Sequence, residues 1–304
     1  MSGPGSPIQH RKFVGLALLE PGVQSKWLMI GQSAAWREVL KSATRVAPLE
    51  TTICLQGESG TGKELLARFI HRNSSRRSGP FVAINCAALP EQLLESELFG
   101  FERGAFTSAH QAKAGQFELA AGGVLFLDEI AELAPSAQAK ILRVLEEREF
   151  RRLGSTKSLR ANVRVIVAAN RDLHNAVSRG TFREDLYYRV NVFEIRIPPL
   201  RERREDILLF ARRFLHEFGS SNGLPAIDLT PEAAEALLTH RWPGNVRELR
   251  NVIERAAIVC DGGAVRDSDL ALAPSCATSP DITNLGHLEQ CVIKRAIHEA
   301  GGNR

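Results

Sequence analysis

The chain has 304 residues, 44% of them hydrophobic and only 6% aromatic, enough apolar material to bury a core in two packed units, one large and one small. A formal net charge of +4 with 24% charged residues gives no molecule-wide field for nucleic acid, so any such contact is local. Five dispersed cysteines, Cys54, Cys86, Cys260, Cys276 and Cys291, include no Cys-x-x-Cys pair; they argue against a disulfide frame or zinc site and for reduced thiols in a cytoplasmic protein.

Residues 1–26 hold Gly, Pro and Ser without a sustained period and are expected to form a tail; the apolar run Phe13 to Leu19 within it is far too short to span a membrane. From Trp27 onward, short β-branched runs alternate with amphipathic helical stretches, the rhythm of an α/β unit with a largely parallel sheet. The run Thr51 to Gln56 is the first informative strand. It leads into Gly57-Glu58-Ser59-Gly60-Thr61-Gly62-Lys63-Glu64 and then a helix whose apolar face is Leu65, Leu66, Phe69 and Ile70. Glycines in such a loop let backbone N–H groups converge on phosphate oxygens, the helix N-terminus adds positive potential, and Lys63 reaches the terminal phosphates. The competing reading is a turn that only joins strand to helix. It draws weight from Glu64, which stands where the strict phosphate-loop pattern has the Ser or Thr that ligates Mg²⁺.

A second signal is independent of the first. Gly122-Gly123 precedes the apolar strand Val124 to Leu127, which ends in Asp128-Glu129. Asp128 at a strand end can hold Mg²⁺ directly or through water, and Glu129 can polarise an attacking water. Either motif alone also fits an ordinary turn, but the two in this order point to an ATPase. A third strand, Val163 to Ala169, ends in Asn170, an amide at the same sheet edge that can sense a γ-phosphate.

After Ile197-Pro198-Pro199 the strand pattern is expected to stop, with helices over Asp206 to Glu217, Pro231 to Leu238 and Val246 to Val259 forming a small lid. Thr230 before Pro231 reads as a capping hydroxyl ahead of a first-turn proline. Asn245 followed three residues later by Glu248 reads as a capping box for the last lid helix, with Val246, Leu249, Ile253 and Ala256 on its apolar face. A linker is expected over 266–283, richest in Pro, Ser and Thr from Ala271 to Asp281, and then a helix over Leu285 to Ala296, stopped by Gly301-Gly302.

From about Ile30 to Ala264 the chain resembles the central domain of bacterial enhancer-binding proteins, the AAA+ activators of sigma-54 RNA polymerase. The most specific match is Glu97-Leu98-Phe99-Gly100-Phe101-Glu102-Arg103-Gly104-Ala105-Phe106-Thr107-Ser108-Ala109, similar to the family's signature insertion Gly-Ala-Phe-Thr-Gly-Ala. Small residues around Phe106 leave one ring to present, with the Thr107 hydroxyl beside it; the alternative is that Phe106 packs into the core over a Gly104 turn. Ser108 departs from the family's glycine.

The resemblance implies an AAA+ P-loop NTPase fold: a parallel-sheet α/β core over 27–199 and a smaller α-helical lid over 200–265. It implies ATP and Mg²⁺ as ligands, with Gly57, Glu58, Ser59, Gly60, Thr61, Gly62, Lys63, Glu64 and Arg247 around the nucleotide and Asp128 on the metal. It further implies Glu129 as the catalytic base, held away from water by Asn85 in Phe81-Val82-Ala83-Ile84-Asn85-Cys86-Ala87-Ala88-Leu89, and Asn170 as phosphate sensor, with Ala169 where the family commonly has threonine. Arg183 and Arg189, in Phe182-Arg183-Glu184-Asp185-Leu186-Tyr187-Tyr188-Arg189, match arginine fingers supplied by a neighbouring subunit, which implies a ring, expected to be a hexamer. Trp242-Pro243-Gly244-Asn245-Val246-Arg247-Glu248-Leu249 resembles the lid segment that brings an arginine to phosphate.

Residues Gly104, Ala105, Phe106, Thr107, Ser108 and Ala109 would contact sigma-54 in its RNA polymerase holoenzyme. Residues 284–304 resemble the first helix of the family's Fis-like DNA-binding domain, so promoter or enhancer DNA is expected as a partner only if the remaining helices are supplied. No membrane partner is expected. Two alternatives stand beside the sigma-54 activator: an AAA+ remodeller of another protein, and a nucleotide-binding regulatory subunit.

Overall fold

The computed structural model describes residues 29–107, 109–224, 226–260 and 263–272. One compact unit runs through Leu270. The expected tail, Ser108, the linker beyond residue 272, Cys276, Cys291 and the 284–304 helix lie outside the described residues.

In chain order the first half of the unit contains α1 (Ala34–Val46), β1 (Ile53–Gln56), α2 (Lys63–Arg72), β2 (Phe81–Asn85), α3 (Glu91–Phe99), β3 (Gly100–Phe101), β4 (Lys113–Ala114), α4 (Gln116–Leu119) and β5 (Val124–Asp128). There follow α5 (Pro135–Glu147), β6 (Glu149–Arg151), β7 (Ser158–Arg160), β8 (Arg164–Ala169), α6 (Leu173–Ser178), α7 (Glu184–Val190) and β9 (Phe193–Arg196). Strands β2, β5, β8, β1 and β9 lie side by side in that order, every pair parallel. The chain passes from β1 to the far edge at β2, returns through β5 and β8, and crosses β1 to reach β9. That crossing makes the carboxyl ends of β1 and β8 the place where successive connections diverge, and ligands of open parallel sheets bind at such a point.

The continuous apolar runs in the sequence are split by the two-residue period of the strands. Ile53, Leu55, Val124, Phe126, Ile166 and Ala168 face one core with Trp36, Val39, Leu66 and Ile70 from α1 and α2. Cys54, Leu125, Leu127, Val165, Val167 and Ala169 face the other, against Leu98, Phe117 and Ile141. Both faces being covered is why these strands read as unbroken hydrophobic runs. In α2 the buried apolar residues are Leu66, Ala67 and Ile70, while Leu65 is 40% exposed, so the apolar face is rotated from the expected one.

Arg164 interrupts the apolar run of β8 and is still buried. Its guanidinium donates to the carbonyls of Ala47 (2.6 Å), Val46 (2.9 Å) and Thr51 (3.3 Å), closing the C-terminal end of α1. Burial pushes the Cys54 and Cys86 thiols up to about 12, which leaves both as unreactive core groups. Among the described residues no helix is long and apolar enough to cross a membrane.

The second half contains α8 (Glu205–Asn222), β10 (Asp228–Leu229), α9 (Pro231–Thr239), α10 (Asn245–Val259), β11 (Ala264–Val265) and α11 (Asp267–Leu270). Strands return here against expectation, because the two-residue β10 and β11 pair in parallel; a ladder that short leaves no alternation to read. Helix α8 runs past Glu217 to Gly223, whose left-handed backbone (φ 64°) ends it. Thr230 caps α9 as expected, its hydroxyl accepting from the Ala233 N–H at 3.2 Å. Trp242 is fully buried, with its indole N–H donated to the Leu237 carbonyl at 2.9 Å.

The start of α8 ties the two halves together. The fully buried Asp206 carboxylate accepts from the Gln32 N–H (2.6 Å), the Ser33 N–H (2.9 Å) and the Ser33 hydroxyl (2.8 Å) ahead of α1. Removing it strands two buried donors of Ser33 and a part-buried one of Gln32. Asp206→Ala should destabilise the chain by about 3 kcal/mol in urea unfolding, and Asp206→Asn by clearly less, since one amide oxygen still accepts; equal losses would refute the donor-stranding account.

Candidate nucleotide site and signature loop

Residues 57–62 form the loop between β1 and α2, and its path depends on two glycines with left-handed backbone, Gly60 (φ 78°) and Gly62 (φ 102°). Lys63, the first residue of α2, is buried, and its ammonium donates to the carbonyls of Gly57 (2.8 Å) and Glu58 (3.3 Å). Phosphate oxygens would replace those two carbonyls as acceptors while the first-turn amides of α2 supply further donors. Burial holds the Lys63 pKa below its ordinary value, with Glu129 and Asp128 opposing the shift. Glu64 is turned along the helix, where it makes an ion pair with Arg68 at 2.7 Å.

Asp128 is the last residue of β5 and pairs in register with Asn85, the last residue of β2. Its carboxylate accepts from the Glu129 N–H at 3.0 Å. Glu129 has left-handed backbone (φ 55°), a strained conformation for a residue with a side chain. That kink returns its carboxylate toward β8, where it accepts from the Asn170 N–H at 3.3 Å. Burial raises the pKa of both Asp128 and Glu129, with Lys63 opposing in each case. Asn85 is engaged locally: its side-chain oxygen accepts from the Ala87 N–H at 2.8 Å. The Glu129 carboxylate therefore meets Asn170, and not Asn85, in this arrangement.

The lid grips the phosphate loop from the other side. Arg247 donates to the Ser59 hydroxyl at 3.0 Å, and the Val246 N–H to the Gly60 carbonyl at 3.1 Å. Asn245 is fully buried and does not cap α10 as the sequence suggested. Its amide nitrogen donates to the Ser59 carbonyl (3.0 Å) and the Glu58 carboxylate (3.1 Å), and its oxygen accepts from the Leu200 N–H (2.7 Å). Glu248 instead accepts from the Gly244 N–H at 2.8 Å. Gly60 lies so close beneath the lid that a Cβ there would run into the Gly244 carbonyl oxygen.

Sequence reasoning missed two arginines of this grip. Arg201 makes a bidentate pair with Glu58 (2.7 and 2.9 Å), the largest influence holding the Glu58 carboxyl below its usual range. Arg203 is buried over the Trp36 ring and donates to the Thr61 carbonyl at 3.0 Å; burial lowers its pKa to about 10. The signal available was the Arg201-Glu202-Arg203-Arg204 run just after Pro199, a basic cluster that reads as surface until the loop is folded against it. A cleft of about 660 Å³ opens alongside, bordered by Gln56, Gly57, Glu58, Asn170, Arg196 and Arg201.

Arg183 and Arg189 make no hydrogen bond to the phosphate loop of their own chain. Arg183, exposed just before α7, forms a bidentate pair with Asp185 (2.7 and 3.0 Å). Arg189 donates twice to the Leu145 carbonyl near the end of α5.

The signature segment is the tip of a hairpin whose stem is β3 paired antiparallel with β4. Gly104 has φ 82°; its N–H donates to the Ala109 carbonyl and the Ala109 N–H to the Phe106 carbonyl, both at 2.9 Å. Phe106 is 41% exposed and leans on Phe101, with ring centroids 4.8 Å apart, so it is presented at the surface and not packed in the core. Thr107 is exposed and Ala109 buried. Arg152, beyond β6, braces the stem by pairing with Glu118 (2.6 Å) and Glu102 (3.1 Å).

A glycine-turned loop at a helix N-terminus, two carboxylates on the neighbouring strand end and an arginine reaching over from a helical lid define a P-loop NTPase. The family model described as the sigma-54 interaction domain matches residues 29–196, and that of the AAA+ ATPase lid domain matches residues 201–281. The chain therefore belongs to the sigma-54 interaction domain family of AAA+ ATPases. It is 50% identical over 259 residues to the Nif-specific regulatory protein of Herbaspirillum seropedicae, covering 85% of this chain and 47% of that one. It is 46% identical over 285 residues to the transcriptional regulatory protein ZraR of Escherichia coli, covering 92% and 65%. Among solved structures, NtrX from Brucella abortus in complex with ATP superposes with a TM-score of 0.77 at 37% identity, over 90% of this chain and 64% of that one. The chain thus spans about half the length of the Nif-specific relative.

The raised carboxylates give a signed pH effect. Ionising Asp128 costs folded-state stability as pH rises through its raised folded pKa; below the ordinary aspartate range both states carry the proton and the cost vanishes. Measured without added nucleotide, Asp128→Asn should raise Tm at pH 7, because the amide carries no charge to desolvate. The gain should shrink toward zero near the bottom of the carboxylate range, and a lower Tm at pH 7 would contradict it.

Proposed function

We propose that this chain is the ATP-driven motor of a sigma-54-dependent transcriptional activator, acting in the cytoplasm on sigma-54 RNA polymerase holoenzyme. The observation that carries the reading is that one compact unit joins a lid-gripped phosphate loop to an exposed Phe106 on a braced hairpin. The path between them is short: β2 ends beside Asp128, and α3 then runs directly into β3 and the signature loop. The working parts are the α/β unit over 27–199 and the lid over 200–265.

The triphosphate of ATP would take the amides of residues 57–63, with Lys63 leaving its two carbonyls for phosphate oxygens and Arg247 closing over them from the lid. Among the described residues there is no group of three side chains able to hold a metal ion. That fits Mg²⁺, which keeps several waters and takes one or two carboxylates beside substrate phosphates; Asp128 is the residue placed to serve it. Mg²⁺ would neutralise charge developing on the phosphates. Glu129, its carboxylate already aimed across the sheet edge by the left-handed kink, accepts a proton from water, while Asn170 sits beside it to orient that water or sense the γ-phosphate. Asn85, one strand over, is in reach of the same edge and would hold Glu129 back in another nucleotide state.

Arg183 bonds Asp185 and Arg189 bonds the Leu145 carbonyl, neither reaching the phosphate loop of its own chain, which supports their delivery to a neighbour in a ring, read as a hexamer. Phe106 and Thr107, flanked by Gly104, Ala105, Ser108 and Ala109, would press on sigma-54.

Glu129→Gln should lower turnover about a hundredfold or more while ATP still binds; turnover near the parent rate would remove Glu129 from the role of base. Thr107→Ala should keep ATPase activity within about twofold, because the backbone bonds of the loop tip close within residues 102–109 and not onto the phosphate loop, yet lose capture of sigma-54 in the presence of a transition-state nucleotide analogue. Undiminished capture would favour a different protein target.

A further inference from the structure

Gln138, in the first turn of α5, is 1% exposed and has every arm of its side-chain amide engaged. Its nitrogen donates to the Leu133 carbonyl at 2.8 Å and to the Thr181 carbonyl at 3.0 Å, and its oxygen accepts from the Arg183 N–H at 2.8 Å. These partners belong to two functional segments. Leu133 closes the tight turn that begins at Glu129: the Glu132 N–H donates to the Glu129 carbonyl at 3.0 Å and the Leu133 N–H to the Ile130 carbonyl at 3.2 Å. Thr181 to Arg183 is the segment that presents the Arg183 guanidinium. A buried amide held at three points ties its partners together: a shift of the Glu129 turn that keeps these bonds moves the Arg183 backbone with it.

We infer that Gln138 is a positioning residue that links each subunit's own Glu129 turn to the arginine it offers to the next subunit. The same helix holds Arg189 at its other end, through the Leu145 carbonyl, so α5 carries both arginines as one body. Nucleotide status at one site would thereby set the placement of the arginine at the adjoining site. The inference rests on Arg183 acting across a subunit boundary, as proposed above.

Gln138→Met removes all three hydrogen bonds at nearly constant volume and leaves the residues around the phosphates untouched. It should lower kcat about tenfold with KM for ATP within about twofold, because a misplaced arginine weakens the transition state and not ground-state binding. Gln138→Asn, one methylene too short to bridge the same partners, should give the same split and serves if the methionine variant does not fold. The decisive measurement is subunit mixing. Glu129→Gln subunits bind ATP without turning it over and keep Gln138 and Arg183, so equal mixing with Gln138→Met should raise turnover per Gln138→Met site about fivefold, as half of those sites regain a well-placed donor. The same mixing applied to Arg183→Ala tests the cross-subunit reading by itself. Rescue of Arg183→Ala without rescue of Gln138→Met, or an undiminished kcat in Gln138→Met, overturns the link and leaves the arginine reading standing. Failure to rescue Arg183→Ala refutes the arginine reading and the link with it.

Discussion

The carboxamide of Asn245 sits where the lid meets the phosphate loop, and the rest of the site is arranged around that contact. It holds the Ser59 carbonyl, the Glu58 carboxylate and the Leu200 N–H at once, from a fully buried position with left-handed backbone. Around it Arg201, Arg203 and Arg247 each fasten a different residue of the loop. The grip works because Gly60 has no side chain to keep Gly244 away. A loop held this way has little freedom left to lose on binding phosphate, which is the physical content of preorganisation.

The same region stores unfavourable electrostatics. Lys63, Asp128 and Glu129 are all shifted against their charged forms by burial, and Glu129 carries backbone strain in addition. None of this helps the chain fold. Each feature is relieved by a ligand that brings anionic oxygens to Lys63 and a cation to the carboxylates, so binding energy and stored strain act on the same few atoms. The contacts that stabilise the fold lie just outside: Asp206 on the α1 N-terminal side, Arg164 behind β8, and the two apolar faces of the sheet.

The signature hairpin grows from this rigid frame. Its stem is only two residues on each side, yet it is braced by Arg152 and by the pairing of Phe101 with Leu153. A short, braced stem keeps the tip in a fixed relation to the end of α3. Phe106 at the tip is 41% exposed and rests against Phe101, its ring held at the surface of the hairpin.

Much of this was legible from local chemistry. The strand runs ending at Gln56, Asp128 and Ala169 and the Gly-rich turn at Gly57 to Lys63 each follow from short-range rules, in which a few neighbouring residues determine what the backbone does. The helix starts at Thr230 and Pro231 follow from the same kind of rule. The lid grip was not legible, because Arg201, Arg203 and Asn245 meet their partners across separations of about 140 to 190 positions, and an arginine or asparagine read alone looks like a surface charge or a cap. The same holds for Gln138, whose three partners come from two loops brought together only by the packing of α5. Sequence by itself determined the class of fold and located the glycine-rich loop and the paired carboxylates, since both are encoded within single turns and strands. Tertiary structure alone decided which polar side chains are buried between elements and what they hold, because a side-chain hydrogen bond depends on distance in space and leaves no period or spacing along the chain.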